Sequence, residues 1–138
     1  MTVIVADSSA MVALIDRRDH YHLPIKKLFE DRRDDWVVPW AILPEVDYLV
    51  AKTVNARTAQ IFLTDVAAGA YQMEWGGDAD VRRASELNRQ YADLELGLVD
   101  AVVMAIAERL EAWAIATFDR RHFGAVTLRR AIELLPHM

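Results

Sequence analysis

Apolar residues fall along this chain in two rhythms: short dense runs, and longer stretches that repeat every three or four positions. The runs lie at 3–6, 36–39, 70–75, 113–117 and 126–128, and runs of that length bounded by turn residues predict buried strands. Helical spacing fills the intervals. Ala10, Met11, Leu14 and Ile15 follow Ser8, which offers an N-cap, and Ile25, Leu28 and Phe29 follow Pro24 at a helix start. Ile42, Val46, Leu49 and Val50 share one face of a helix with Pro44 in its first turn. Ala59, Phe62, Leu63 and Val66 do the same between an Asn55 cap and a Gly69 stop. A turn at Gly76-Gly77-Asp78 leads into a helix over about 79–91 with Ala84, Leu87 and Tyr91 in register. The strongest stripe, Val99, Val102, Val103, Ile106, Ala107 and Leu110, predicts a helix over 98–111.

Short strands alternating with helices predict an α/β fold with a central parallel sheet of four to five strands and right-handed crossovers. A length of 138 residues suits one domain over 1–138, and 54% hydrophobic residues suit a sheet covered by helices, with an oligomer interface to spare. No cysteine is present, which removes disulfides, thiolate metal sites and a thiol nucleophile, and fits a reducing cytoplasm. No apolar run approaches the roughly 18 residues of a membrane helix, and no leader pattern opens the chain, so a soluble protein is expected. A formal charge of −5 argues against a nucleic-acid partner. Basic residues nonetheless come in pairs, among them Arg17-Arg18, Lys26-Lys27 and Arg120-Arg121, each readable as a solvated face.

Ligand sites in open α/β sheets form outside the carboxyl ends of the strands, and acids recur at that edge. Asp7 ends the first strand, Glu45 and Asp100 lie in the first turns of helices, and Asp119 follows the fourth strand. Each has an ordinary alternative, in turn chemistry or in complementing a helix dipole. Together they would repel one another unless neutralised, and a hard divalent cation such as magnesium or manganese is the economical neutraliser. Such a site generates hydroxide and stabilises charge on a phosphoryl group under in-line attack.

The motifs Asp7-Ser8-Ser9, Glu45 early in its helix, Leu98-Val99-Asp100-Ala101, Thr117-Phe118-Asp119-Arg120-Arg121-His122-Phe123 and the ending Glu133-Leu134-Leu135-Pro136 resemble those of PIN-domain ribonucleases, and more closely the VapC toxins of type II toxin–antitoxin pairs. The resemblance spans essentially the whole chain. It implies a three-layer α/β/α PIN-like fold, magnesium- or manganese-dependent endoribonuclease activity on RNA, a homodimer and a VapB-like antitoxin. By matching position it makes Asp7, Glu45, Asp100 and Asp119 the acidic quartet, with Asp7 and Asp100 the principal metal ligands. Ser8 and Ser9 would orient the carboxylates, and Arg120 and Arg121 would meet RNA phosphates. Asp93 and Glu95 read as loop solvation, with a place at the site as the alternative. His122 reads as a structural or capping residue. Trp36, Trp40, Trp75 and Trp113 read as core or dimer interface.

Other chemistries fit less well. A receiver domain needs a late lysine, and the last lysine is Lys52. Ser8 and Ser9 lack a Gly-x-Ser-x-Gly elbow, and no phosphate-binding Gly-x-x-x-x-Gly-Lys pattern occurs. A PIN-like interaction module without catalysis is the non-enzyme alternative, and a nuclease without an antitoxin is the other.

Overall fold

The computed structural model describes residues 3–138. Strands β1 (Ile4–Ala6), β2 (Trp36–Pro39), β3 (Gln72–Glu74), β4 (Ala114–Ala116) and β5 (Glu133–Leu135) form one sheet in the order β3-β2-β1-β4-β5. All its pairings are parallel. β1 is central, and Ile4, Val5 and Ala6 are wholly buried, as expected where helices cover both faces. The helices are α1 (Ser8–Ile15), α2 (His22–Asp31), α3 (Leu43–Thr53), α4 (Ala56–Ala67), α5 (Asp78–Gln90), α6 (Gly97–Arg109) and α7 (Arg120–Ala125). The first four pack among themselves, and α5 pairs with α6, which lies against β1. The result is the three-layer α/β/α arrangement expected from the sequence.

Differences from the expected elements have local causes. Asp7, not Ser8, caps α1: its backbone is extended (φ −92°, ψ −179°) and its side chain accepts the Ala10 N–H, so Ser8 is already helical. β3 is confined to three residues of the predicted 70–75. Residues 126–128 form no strand; Val126 and Leu128 pack side chains on the core from a loop, and the edge strand is Glu133–Leu135 instead. There the Glu133 N–H bonds the Trp113 carbonyl, and one charged residue had masked the strand. Leu63 is 53% exposed, because α4 meets its neighbours through Ala59, Phe62 and Val66. Trp75 is 65% exposed, while Trp36 is buried. In α6, every residue from Ala101 to Ala107 is buried. Its small residues Ala101, Ala105 and Ala107 let the helix sink between β1 and α5, so the apolar stripe seen in sequence is part of a fully covered helix.

Between β3 and α5 the chain turns sharply at Gly76, whose φ of +71° favours glycine. A Cβ there would lie 2.5 Å from the Trp40 indole nitrogen and 2.8 Å from the Asp80 carboxylate. Asp80 is buried, accepts the Gly77 N–H and holds Arg109 through two hydrogen bonds of 2.8 and 3.0 Å. Gly76→Ala is therefore expected to lower unfolding free energy by about 2–3 kcal/mol, combining left-handed strain and overpacking. Urea denaturation reads that loss directly.

Candidate active site

The site begins where β1 and β4 run out together. Ala6 pairs with Ala116, and the Asp7 N–H still bonds the Ala116 carbonyl at 3.0 Å, so Asp7 and Thr117 emerge side by side. Both are buried. The Thr117 hydroxyl donates to Asp7 Oδ2 and accepts the Asp119 N–H at 2.9 Å. The Ser9 hydroxyl donates to Asp7 Oδ1 at 2.8 Å and accepts the Phe118 N–H at 2.9 Å. Two hydroxyls thus join the strand ends through one carboxylate. The Ser8 hydroxyl is buried without a hydrogen-bond partner among the described residues, so the serine that orients Asp7 is Ser9.

Burial is the leading influence on Asp7, pushing its pKa from 3.8 up to about 7 against the lowering effect of its hydrogen bonds; the charge of Asp100 pushes the same way. Asp100, half-buried on the first turn of α6, is also raised, first by desolvation and further by Asp119 and Glu45. Glu45 itself is exposed on the first turn of α3. Asp119 caps α7 by accepting the His122 N–H at 3.2 Å. The His122 ring Nδ1 lies 2.7 Å from Asp100 Oδ2 and 3.5 Å from Asp119 Oδ2.

Asp100, Asp119 and His122 each offer a ligand atom, and these atoms lie within 4.8 Å of one another. The quartet named in the sequence therefore converges unequally. Asp100 and Asp119 share a cluster, Asp7 faces Asp100 from a buried and fully hydrogen-bonded position, and Glu45 reaches it by electrostatics from the rim. Asp93 and Glu95 stay in the exposed turn before α6. The Arg120 guanidinium donates to the Pro136 carbonyl, and Arg121 is exposed.

Two residues belong here that sequence reasoning placed elsewhere. Thr117 reads in sequence as the end of a strand, and its role depends on register with Asp7. His122 reads as a cap, but its position three residues after an N-cap aspartate turns its ring back over that aspartate. The spacing from Asp119 was the available signal.

The PIN domain family model matches residues 4–127, and the chain belongs to the PIN-domain family. Its similarity within that family extends to Ribonuclease VapC26 of Mycobacterium tuberculosis (strain ATCC 25618 / H37Rv), 31% identical over 123 residues, covering 89% of this chain and 91% of the relative. Among solved structures, Mycobacterium tuberculosis VapC20, described as a sarcin–ricin loop cleaving toxin, superposes with a TM-score of 0.79 at 18% identity, covering 90% of this chain and 96% of that one. The DNA-bound VapBC of Salmonella typhimurium gives 0.74 at 12% identity, covering 97% of each chain. At those identities the structures speak for the fold.

The raised pKa of Asp7 sets a pH dependence with a definite sign. A carboxyl that binds its proton more tightly when folded stabilises the fold below about pH 4, and that contribution is lost as pH rises through about 7. In chelator, Asp7→Asn is expected to gain on the parent protein between pH 4 and pH 8, by about 2–4 kcal/mol. Paired melting curves across that range measure the difference; a constant gap would contradict the burial cost.

Proposed function

We propose that this chain is the toxin of a type II toxin–antitoxin pair, an endoribonuclease that hydrolyses RNA phosphodiesters at the Asp7, Glu45, Asp100 and Asp119 site with a divalent metal ion. The observation that supports it most is the convergence of Asp100, Asp119 and His122 beside the buried Asp7, on a chain whose relative is a ribonuclease. The fit to a metal rests on donor chemistry. Carboxylates desolvated next to like charge are a poor arrangement for an empty surface and a good one for a cation.

Such an ion, when bound, supplies activation of water and neutralisation of phosphoryl charge. The chain's residues supply the rest. Ser9 and Thr117 fix both oxygens of Asp7. Asp100 and Asp119 present oxygens to the same small volume. His122 Nδ1 holds Asp100 in place, or would turn to the ion in exchange for that bond, and an imidazole donor would suit manganese better than magnesium. Glu45 stands at the open side, where it can ligate through water or orient the attacking water. Arg121 is free to meet a phosphate, whereas Arg120 is engaged with Pro136. Among the described residues no helix is long and apolar enough to cross a membrane. A VapB-like antitoxin and a homodimer complete the reading, supported by structural neighbours that are VapBC assemblies.

Three outcomes are expected. Asp7→Asn and Asp100→Asn each reduce RNA cleavage by about 100-fold or more while circular dichroism stays native. Unchanged cleavage in either purified variant would remove that residue from the site. Adding manganese raises the melting temperature at lower concentration than magnesium does, and Asp100→Asn abolishes both shifts. A small open reading frame encoding the antitoxin lies next to this gene, and its product, co-expressed, suppresses the cleavage.

A further inference from the structure

Beside the acidic cluster stands a group of aromatic rings that the hydrolytic chemistry leaves unused. The rings of Tyr21 and Phe118 stack face to face, centroids 4.2 Å apart and planes 10° from parallel. His20 meets Tyr21 edge-on at 4.8 Å. Phe118 directly precedes Asp119, and its N–H is held by the same Ser9 hydroxyl that holds Asp7. The stack therefore starts one residue from a site carboxylate and leads outward to an exposed histidine.

Its support is firm. The Asp16 carboxylate accepts the Arg18 N–H at 3.0 Å, and the Asp19 carboxylate accepts the Tyr21 N–H at 2.8 Å. The His22 Nδ1 lies 2.8 Å from the Ala13 carbonyl, which ties the start of α2 back to α1. The connector between the two helices is thus a set of closed turns that fixes Tyr21 before anything binds. Tyr21 and Phe118 are only partly buried, and His20 is exposed. Arg17 and Arg18 stand exposed on the same connector. Tyr21 and Phe118 rest one side against the core and keep part of their surface open to solvent.

Single-stranded RNA is recognised by stacking unpaired bases on Tyr, Phe and His, with basic residues tracking the phosphates. Resting on the ribonuclease reading above, we propose that the Phe118–Tyr21 stack, with His20 at its edge, is the base platform of this enzyme: it receives the base adjacent to the phosphate cut at the carboxylates, and so sets the cleavage preference. A preference built on stacking favours purine over uridine at that position.

The test uses the full chain and a short single-stranded RNA whose cleaved phosphate has been mapped, with 2-aminopurine placed beside it. In the Asp100→Asn protein, binding is expected to quench the 2-aminopurine fluorescence, and Tyr21→Leu added to it abolishes the quench. In otherwise native protein, Tyr21→Leu is expected to raise KM about tenfold, within the range of one lost base stack. Its kcat stays within about twofold and its purine preference disappears, while Tyr21→Phe restores both KM and preference. His20→Ala, an exposed change that leaves folding aside, raises KM about threefold. An active parent whose KM and cut-site distribution are unmoved by Tyr21→Leu overturns the platform. If that variant does not fold, absence of 2-aminopurine quenching in RNA-bound Asp100→Asn protein overturns it equally. A parent that binds and quenches but never cleaves contradicts the ribonuclease reading and leaves the platform standing; one that neither cleaves nor quenches contradicts both.

Discussion

Asp7 is a carboxylate buried at the end of the central strand, and the hydroxyls of Ser9 and Thr117 hold both its oxygens. Through them it also fixes the backbone N–H groups of Phe118 and Asp119. One acid therefore sets where β1 stops, where α1 starts and how the chain leaves β4. If Asp7 were lost, Ser9 and Thr117 would each lose an acceptor, and Asp119 would lose the tether that starts α7.

The remaining charges follow from packing around this join. Every residue of α6 from Ala101 to Ala107 is buried, so its first turn is delivered to the sheet edge with little freedom, and Asp100 with it. The His122 ring then stands between Asp100 and Asp119, 2.7 Å from one carboxylate and 3.5 Å from the other. In the family to which the chain belongs, a divalent ion is the natural completion of this arrangement. Elsewhere the fold stabilises charge by pairing within itself: Arg83 with Glu108 at 2.7 Å, and Arg109 with Asp80 and Glu74. The acids at the carboxyl edge stand out because no arginine or lysine answers them among the described residues.

The order of strands and helices was legible because burial leaves a period in the sequence: β1, β2, β4 and the helices after Pro44, Asn55 and Gly77 lie where spacing put them. The edge strand β5 was not, since one face of an edge strand is free to carry Glu133 and the apolar run at 126–128 looked stronger. The four acids could be listed from the sheet-edge rule and the family motifs, but their ranking could not. Whether Asp7 is open or sealed depends on Thr117, a partner 110 positions away that only strand register reveals. Ser8 and Ser9 are indistinguishable in sequence, and helical phase alone decides that Ser9 faces Asp7. His122 reads only as a cap for the same reason, since a residue on a short helix acquires its meaning from what α6 brings opposite.

On the proposed reading, a divalent ion takes the place of the proton on Asp7, whose pKa burial raises to about 7. Calorimetric titration of manganese near pH 6, repeated in buffers of different ionisation enthalpy, counts the protons released on binding. A release of about one proton, absent from Asp7→Asn, is the expected result. Binding with no release that depends on Asp7, or no binding at all, would contradict it.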